Sequence, residues 1–174
     1  MKVYTVQDLE TFERDEWGRL ICPSGDYTQI CRFGESCSFG EWCRFGESCS
    51  FGKSCSFGEW CSFGESCSFG KSCRFGKSCR FGEWCSFGES CSFGKSCRFE
   101  NIQEDIDRFV KIDRIGSRNG CTYFFKTLSN IYVRCGCFFG TIDEFEQKVK
   151  EKHENKEQYL KEYLEAIKYV KAIL

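Results

Sequence analysis

One six-residue unit, Cys-Ser/Arg-Phe-Gly-Glu/Lys-Ser/Trp, is written twelve times between Cys31 and Phe99, and the last copy decays at Glu100. A short fixed period predicts a stacked architecture in which each repeat buries its apolar side against its neighbours. Cys and Phe stand two residues apart, so on a strand they face the same side and the intervening Ser or Arg faces the other. A period of six is not helical, and a Gly in every unit costs an α-helix about 1 kcal/mol each. Gly is expected either at a bend with positive φ or on a flat outer wall.

Read from Phe, the unit is Phe-Gly-x-x-Cys-x. This resembles the hexapeptide repeat of left-handed parallel β-helices, over the middle two-fifths of the chain. The resemblance implies three units per triangular coil, about 18 residues. Phe stands where that family prefers Leu, Ile or Val. A square coil of about 24 residues is the alternative, because it sorts the charges into columns and because residues 55–78 and 79–102 are near-copies. A gene duplication explains those copies equally well, so the triangle is preferred. A flat coil of about 12 residues leaves little room for two Phe.

The chain of 174 residues carries a net charge of −1. It suits one repeat body with a smaller domain. The array is nearly charge-balanced, which argues against nucleic-acid binding. The start, Met1-Lys2-Val3-Tyr4, does not read as a secretory signal, and no apolar run reaches membrane-spanning length. Sixteen Cys suggest a disulfide scaffold. Twelve of them, however, occupy the inward phase of the repeat, where a thiol packs as a small hydrophobe. A reduced, cytoplasmic protein is therefore expected.

Three segments are expected: an N-terminal cap over 1–18, the β-helix over 19–102, and an α+β domain over 103–174. In the cap, Thr5 and Asp8 form a capping box for a short helix. Ile21 and Tyr27 fall on the Phe phase and Gly25 on the Cys phase, so the first coil is expected to start near Arg19. The tail reads as a three-stranded meander with two helices. Its strands are expected near Phe109–Ile115, Cys121–Leu128 and Ile131–Phe139, with Asn119-Gly120 in the first turn. Ile131, Val133, Cys135, Cys137 and Phe139 are expected on one face. Thr141 and Glu144 open the first helix with a capping box; Tyr159, Leu160, Tyr163, Leu164, Ile167 and Val170 form the apolar stripe of the last. The flanks resemble uncharacterised proteins of gut bacteria and their phages.

Chemistry-bearing groups are sparse. Many hexapeptide β-helix proteins are acyltransferases with a His base beside the coils. Here the sole His is His153, in the tail, and it reads as a solvated residue at a helix end. Cys121, Cys135, Cys137 and His153 form a weak metal candidate, since strand alternation already accounts for Cys-x-Cys. Arg114, Arg118 and Arg134 with the helix start at Gly140-Thr141 form a candidate anion site. Trp42, Trp60 and Trp84 replace Ser at one outward position and suggest a contact wall. The expected function is a non-catalytic protein-binding or inhibitory scaffold without cofactor, directed at a protein partner or a second copy. The alternatives are a nucleotide- or anion-sequestering protein and a degenerate acyltransferase relative.

Overall fold

The structure, a computed structural model, describes residues 1–99, 102, 104–117 and 119–174. It contains two compact units, Met1–Asp105 and Ile106–Leu174.

The first unit is a parallel β-solenoid. A strand β1 (Leu20–Cys22) is followed by twelve strands of two or three residues, one per repeat, from β2 (Arg32–Phe33) to β13 (Arg98–Phe99). Strands 18 residues apart pair in parallel, for example Phe33 with Phe51 and Phe51 with Phe69. Three sheets result, so the coil is the triangle and not the square.

Phe fits the triangle because its rings form three columns. Within a column the planes are nearly parallel, as in Phe45–Phe63 (4.9 Å, 3°) and Phe63–Phe81 (5.0 Å, 6°). Between columns they meet edge to face, as in Phe57–Phe63 (5.0 Å, 90°). Both are favoured arrangements of the ring quadrupole. The repeat thiols fill the remaining interior. Cys55, Cys61 and Cys67 each donate to the carbonyl of a Gly one coil earlier, at 3.3–3.4 Å. Thiol–thiol hydrogen bonds to Cys43 and Cys79, with burial, hold the Cys61 thiol well above its ordinary pKa. All sixteen Cys are free; within the array Cys31 is exposed and Cys91 half-buried.

The repeat Gly is needed for a reason other than the bend. A Cβ on Gly58 would stand 2.7 Å from the backbone of Gly40 and Glu41 in the coil before it. The left-handed residue is instead the Ser or Trp preceding Cys, with φ between 55° and 61° from Ser36 to Ser96. Its N–H points to the next coil, as in Ser54 N to Lys71 O at 2.8 Å. The Gly N–H points back, as in Gly58 N to Phe39 O at 3.0 Å.

The capping box expected near the N-terminus is present. Thr5 and Asp8 form the box on α1 (Val6–Thr11). Tyr4 stacks on Tyr27 (4.9 Å, 20°), and Tyr27 stacks on Phe45, so the ring column continues into the cap. Gly25 is buried against the Tyr4 ring, which a Cβ at this position would strike. The phase of Ile21 needs correction. Cys22, not Ile21, pairs with Phe39, and Ile21 is exposed. The corner at Pro23 is one residue shorter than the repeat corner, which shifts β1 by one and turns every side chain over.

The second unit is an antiparallel meander of four strands, β14 (Arg108–Ile115), β15 (Gly120–Lys126), β16 (Ile131–Cys135) and β17 (Phe138–Thr141), followed by α2 (Ile142–His153) and α3 (Glu157–Ile173). The fourth strand arises where the third was expected to continue. Gly136 takes φ 59°, and Gly136-Cys137 forms a two-residue turn that pairs Cys135 with Phe138. Cys137 is therefore exposed at the turn, and Phe139 stacks on Tyr132 on the face opposite Val133. The core lies between sheet and helices: Phe124, Val133, Ile142, Phe145, Val149, Tyr163, Ile167 and Val170.

Candidate functional site

The eleven left-handed corner residues of the solenoid, Ser36 to Ser96, fall into three edges. One carries Trp42, Trp60, Ser78 and Ser96, each 18 residues from the last. Trp42 and Trp60 stack in parallel, 5.2 Å apart at 6°, and remain 54% and 45% exposed. Both adopt φ 61°. Bulky residues are disfavoured there, so these rings stand out from a strained corner. Trp84, 50% exposed, stands on the neighbouring edge after Ser48 and Ser66. Between these two edges lies the sheet whose outward residues are Arg44, Ser62, Arg80 and Arg98.

Charges are also sorted by edge. Lys53 pairs with Glu35, Lys71 with Glu89, and Lys77 with Glu59, each across one coil. On the remaining edge Glu47, Glu65 and Glu83 follow one another on successive coils. An 18-residue period therefore sorts the charges as sensibly as the square did.

In the second unit a cavity of about 350 Å³ opens between α2, α3 and the turn at Gly136-Cys137. Its walls are apolar, with Ile115, Phe138, Phe145 and Val149. His153 lines it and is 5% exposed, so the solvated reading is corrected: the last turn of α2 folds it inward against Tyr163 (5.5 Å, 25°). Its Nδ1 is buried and has no hydrogen-bond partner among the described residues. Burial, then Lys152 and Lys156 nearby, hold its pKa below the ordinary value. Lys148 and Lys152 are exposed at the mouth.

Cys121, Cys135, Cys137 and His153 all border this cavity, yet among the described residues no three such groups are placed to hold a metal ion. The register gives the cause. Thr122 pairs with Cys135 and its hydroxyl donates to that thiol at 3.2 Å, so both lie on the helix side. Cys121 is one residue off and faces the other side, where burial and the Asp113 carboxylate push its thiol pKa up.

The anion candidates are dispersed. Arg114 sits in a bulge with φ 59° and is exposed; Arg134 packs 4.8 Å over the Tyr123 ring; Arg118 lies outside the described residues. The helix start after Gly140 is already filled. The Glu144 carboxylate accepts from Thr141 N at 2.7 Å, and Thr141 Oγ1 accepts from Glu144 N. The cavity lysines and Tyr163 were not singled out as a site by sequence. The usable signal was Lys148 and Lys152 at i, i+4, interleaved with the Val149–His153 pair.

No protein-family model, curated protein or solved structure matches the chain. Among the described residues no helix is long and apolar enough to cross a membrane.

Proposed function

We propose that this chain is a non-catalytic, cytoplasmic scaffold whose solenoid offers the Trp42/Trp60 edge to a protein partner with an apolar cleft. The observation that carries the reading is the stacked, half-exposed Trp pair on left-handed backbone. Stacking returns about 0.5–1.5 kcal/mol, and burying the exposed half of each ring on a partner contributes roughly another 1–1.5 kcal/mol. Aromatic anchors of this kind dominate interfaces. The solenoid holds the pair at fixed spacing, so a partner has little ordering cost to meet. Membership of the hexapeptide β-helix family belongs to the same proposal, supported by the period and the inward Phe/Cys phase. Inhibition of a host factor by a phage-encoded protein is the form of this function that the flank resemblance suggests.

The test is Trp42→Ser with Trp60→Ser, which copies neighbouring corners. Affinity capture from the native host and light scattering of the pure protein report hetero- and self-association. Loss of a captured partner with a melting temperature within a few degrees of wild type is expected. A large loss of stability in the isolated monomer would instead assign the pair to internal packing. Loss of self-association alone would make the partner a second copy.

A further inference from the structure

We propose that Cys135 and Cys137 form a redox-active pair that closes to a disulfide by exchange with a small-molecule disulfide and reopens with a small thiol. Strand β16 ends at Cys135, and Gly136 at φ 59° turns the chain back into β17. Because of that turn both cysteines border the same cavity. Two peptide steps around a tight turn leave Cα atoms about 5–6 Å apart, inside the roughly 4.4–6.8 Å that a disulfide spans. The residue between them is Gly, so no side chain stands between the two thiols. The pair is asymmetric. Cys137 is exposed and can meet a reagent in solution. Cys135 is half-buried; the Thr122 hydroxyl donates to its sulfur at 3.2 Å, and the Tyr163 hydroxyl lies 3.7 Å away. An exposed thiol to attack and a recessed one to resolve are what exchange needs. Cys121 borders the cavity too but is set apart. It faces the other side of the sheet, where burial and the Asp113 carboxylate keep its thiol protonated. With oxidised glutathione, the Cys137 thiolate attacks one sulfur, forming a mixed disulfide and releasing a glutathione thiolate. The Cys135 thiolate then attacks the Cys137 sulfur and expels the second. The two cysteine protons pass to the two glutathiones, so one glutathione disulfide is reduced as one protein disulfide forms. In a reducing compartment both thiols stay free, and the pair closes as the poise turns oxidising. The site lies wholly within Ile106–Leu174 and is independent of the Trp edge.

The test equilibrates the full chain with mixtures of reduced and oxidised glutathione, blocks free thiols with N-ethylmaleimide and maps the tryptic peptides by mass. Cleavage after Arg134 and Lys148 puts Cys135 and Cys137 on one peptide with no other cysteine, while Cys121 leaves on Asn119–Lys126. We expect the Cys135–Lys148 peptide to lose two hydrogens as oxidised glutathione rises and to regain them in excess reduced glutathione. Half-oxidation in the folded chain should need about tenfold less oxidised glutathione than the free peptide needs, because the turn holds the thiols together. Cys135→Ser keeps a hydrogen-bond partner for Thr122 and should leave glutathione bound at Cys137, since the resolving thiol is gone. A wild-type chain that retains glutathione on Cys137, links Cys137 to Cys121, or oxidises no more readily than the free peptide overturns the proposal. So does a Cys135–Lys148 peptide that stays fully alkylated at millimolar oxidised glutathione.

Discussion

Phe63→Ala is the sharpest probe of the solenoid core. Phe63 is 4% exposed, with Phe45 and Phe81 stacked at 4.9 and 5.0 Å and Phe57 and Phe69 edge-on, both at 5.0 Å. Removing a buried ring costs about 3–5 kcal/mol, more when the surroundings cannot collapse. Here the rings are anchored to coils whose spacing is set by backbone ladders, so the cavity stays open and the upper end, about 5 kcal/mol, is expected. At about 4–8 °C per kcal/mol for a unit of this size, the melting temperature should fall by roughly 20 °C or more. All four Trp lie before residue 106, so their fluorescence reports on the solenoid unit alone during urea or thermal unfolding. Phe93→Ala is the internal control: Phe93 is only half-buried and should lose about 1–2 kcal/mol. Equal losses at the two positions would refute the idea of a rigid, uncollapsible interior.

Other perturbations follow from the same geometry. Gly58→Ala should destabilise the solenoid by several kcal/mol, seen as a lower urea midpoint, because its Cβ would strike backbone of the preceding coil. Glu65→Lys, between Glu47 and Glu83, should stabilise by about 0.3–1 kcal/mol at low salt and lose that gain at high salt. His153 is depressed in the folded state, so the unfolded chain binds its proton first. The second unit should therefore lose stability as pH falls through the ordinary His value of about 6.5 toward the lower folded pKa, by at most about 1.4 kcal/mol per pH unit. Hydrogen exchange of α2 and α3 checks this, and His153→Phe should remove the dependence. Without denaturant, thiol reagents should modify Cys31 and Cys137 first and leave buried array thiols such as Cys61 untouched.

The repeat was readable because two side-chain columns, Phe and Cys, keep one phase for twelve units, and a phase is a statement about faces. The corner was less readable. Gly is the ordinary bearer of positive φ, yet here it is spent on close approach, and Ser and Trp take the left-handed position. That choice depends on the neighbouring coil, which local sequence does not contain. The shift at Ile21 and the extra strand at Phe138 have a similar origin, because one residue more or less in a turn inverts every later face. Capping boxes at Thr5 and Thr141 were legible since both partners lie within four residues. His153 was not. Its burial depends on Tyr163 folding back from another helix, and no local pattern distinguishes it from a frayed end.

The Trp positions reflect two periods that do not match. The segments 55–78 and 79–102 repeat at 24 residues, whereas one circuit of the solenoid takes 18. A copied block therefore overshoots a full circuit by one hexapeptide, and each landmark reappears one corner farther round and one storey up. Trp84 is the counterpart of Trp60 in this sense, displaced to the adjacent edge by arithmetic alone. Removing a single hexapeptide between them would swing Trp84 into line above Trp60, making a three-storey column. Removing three would leave every column where it stands. Length in this molecule is thus a dial with two settings: steps of eighteen change reach, and steps of six rotate what is displayed.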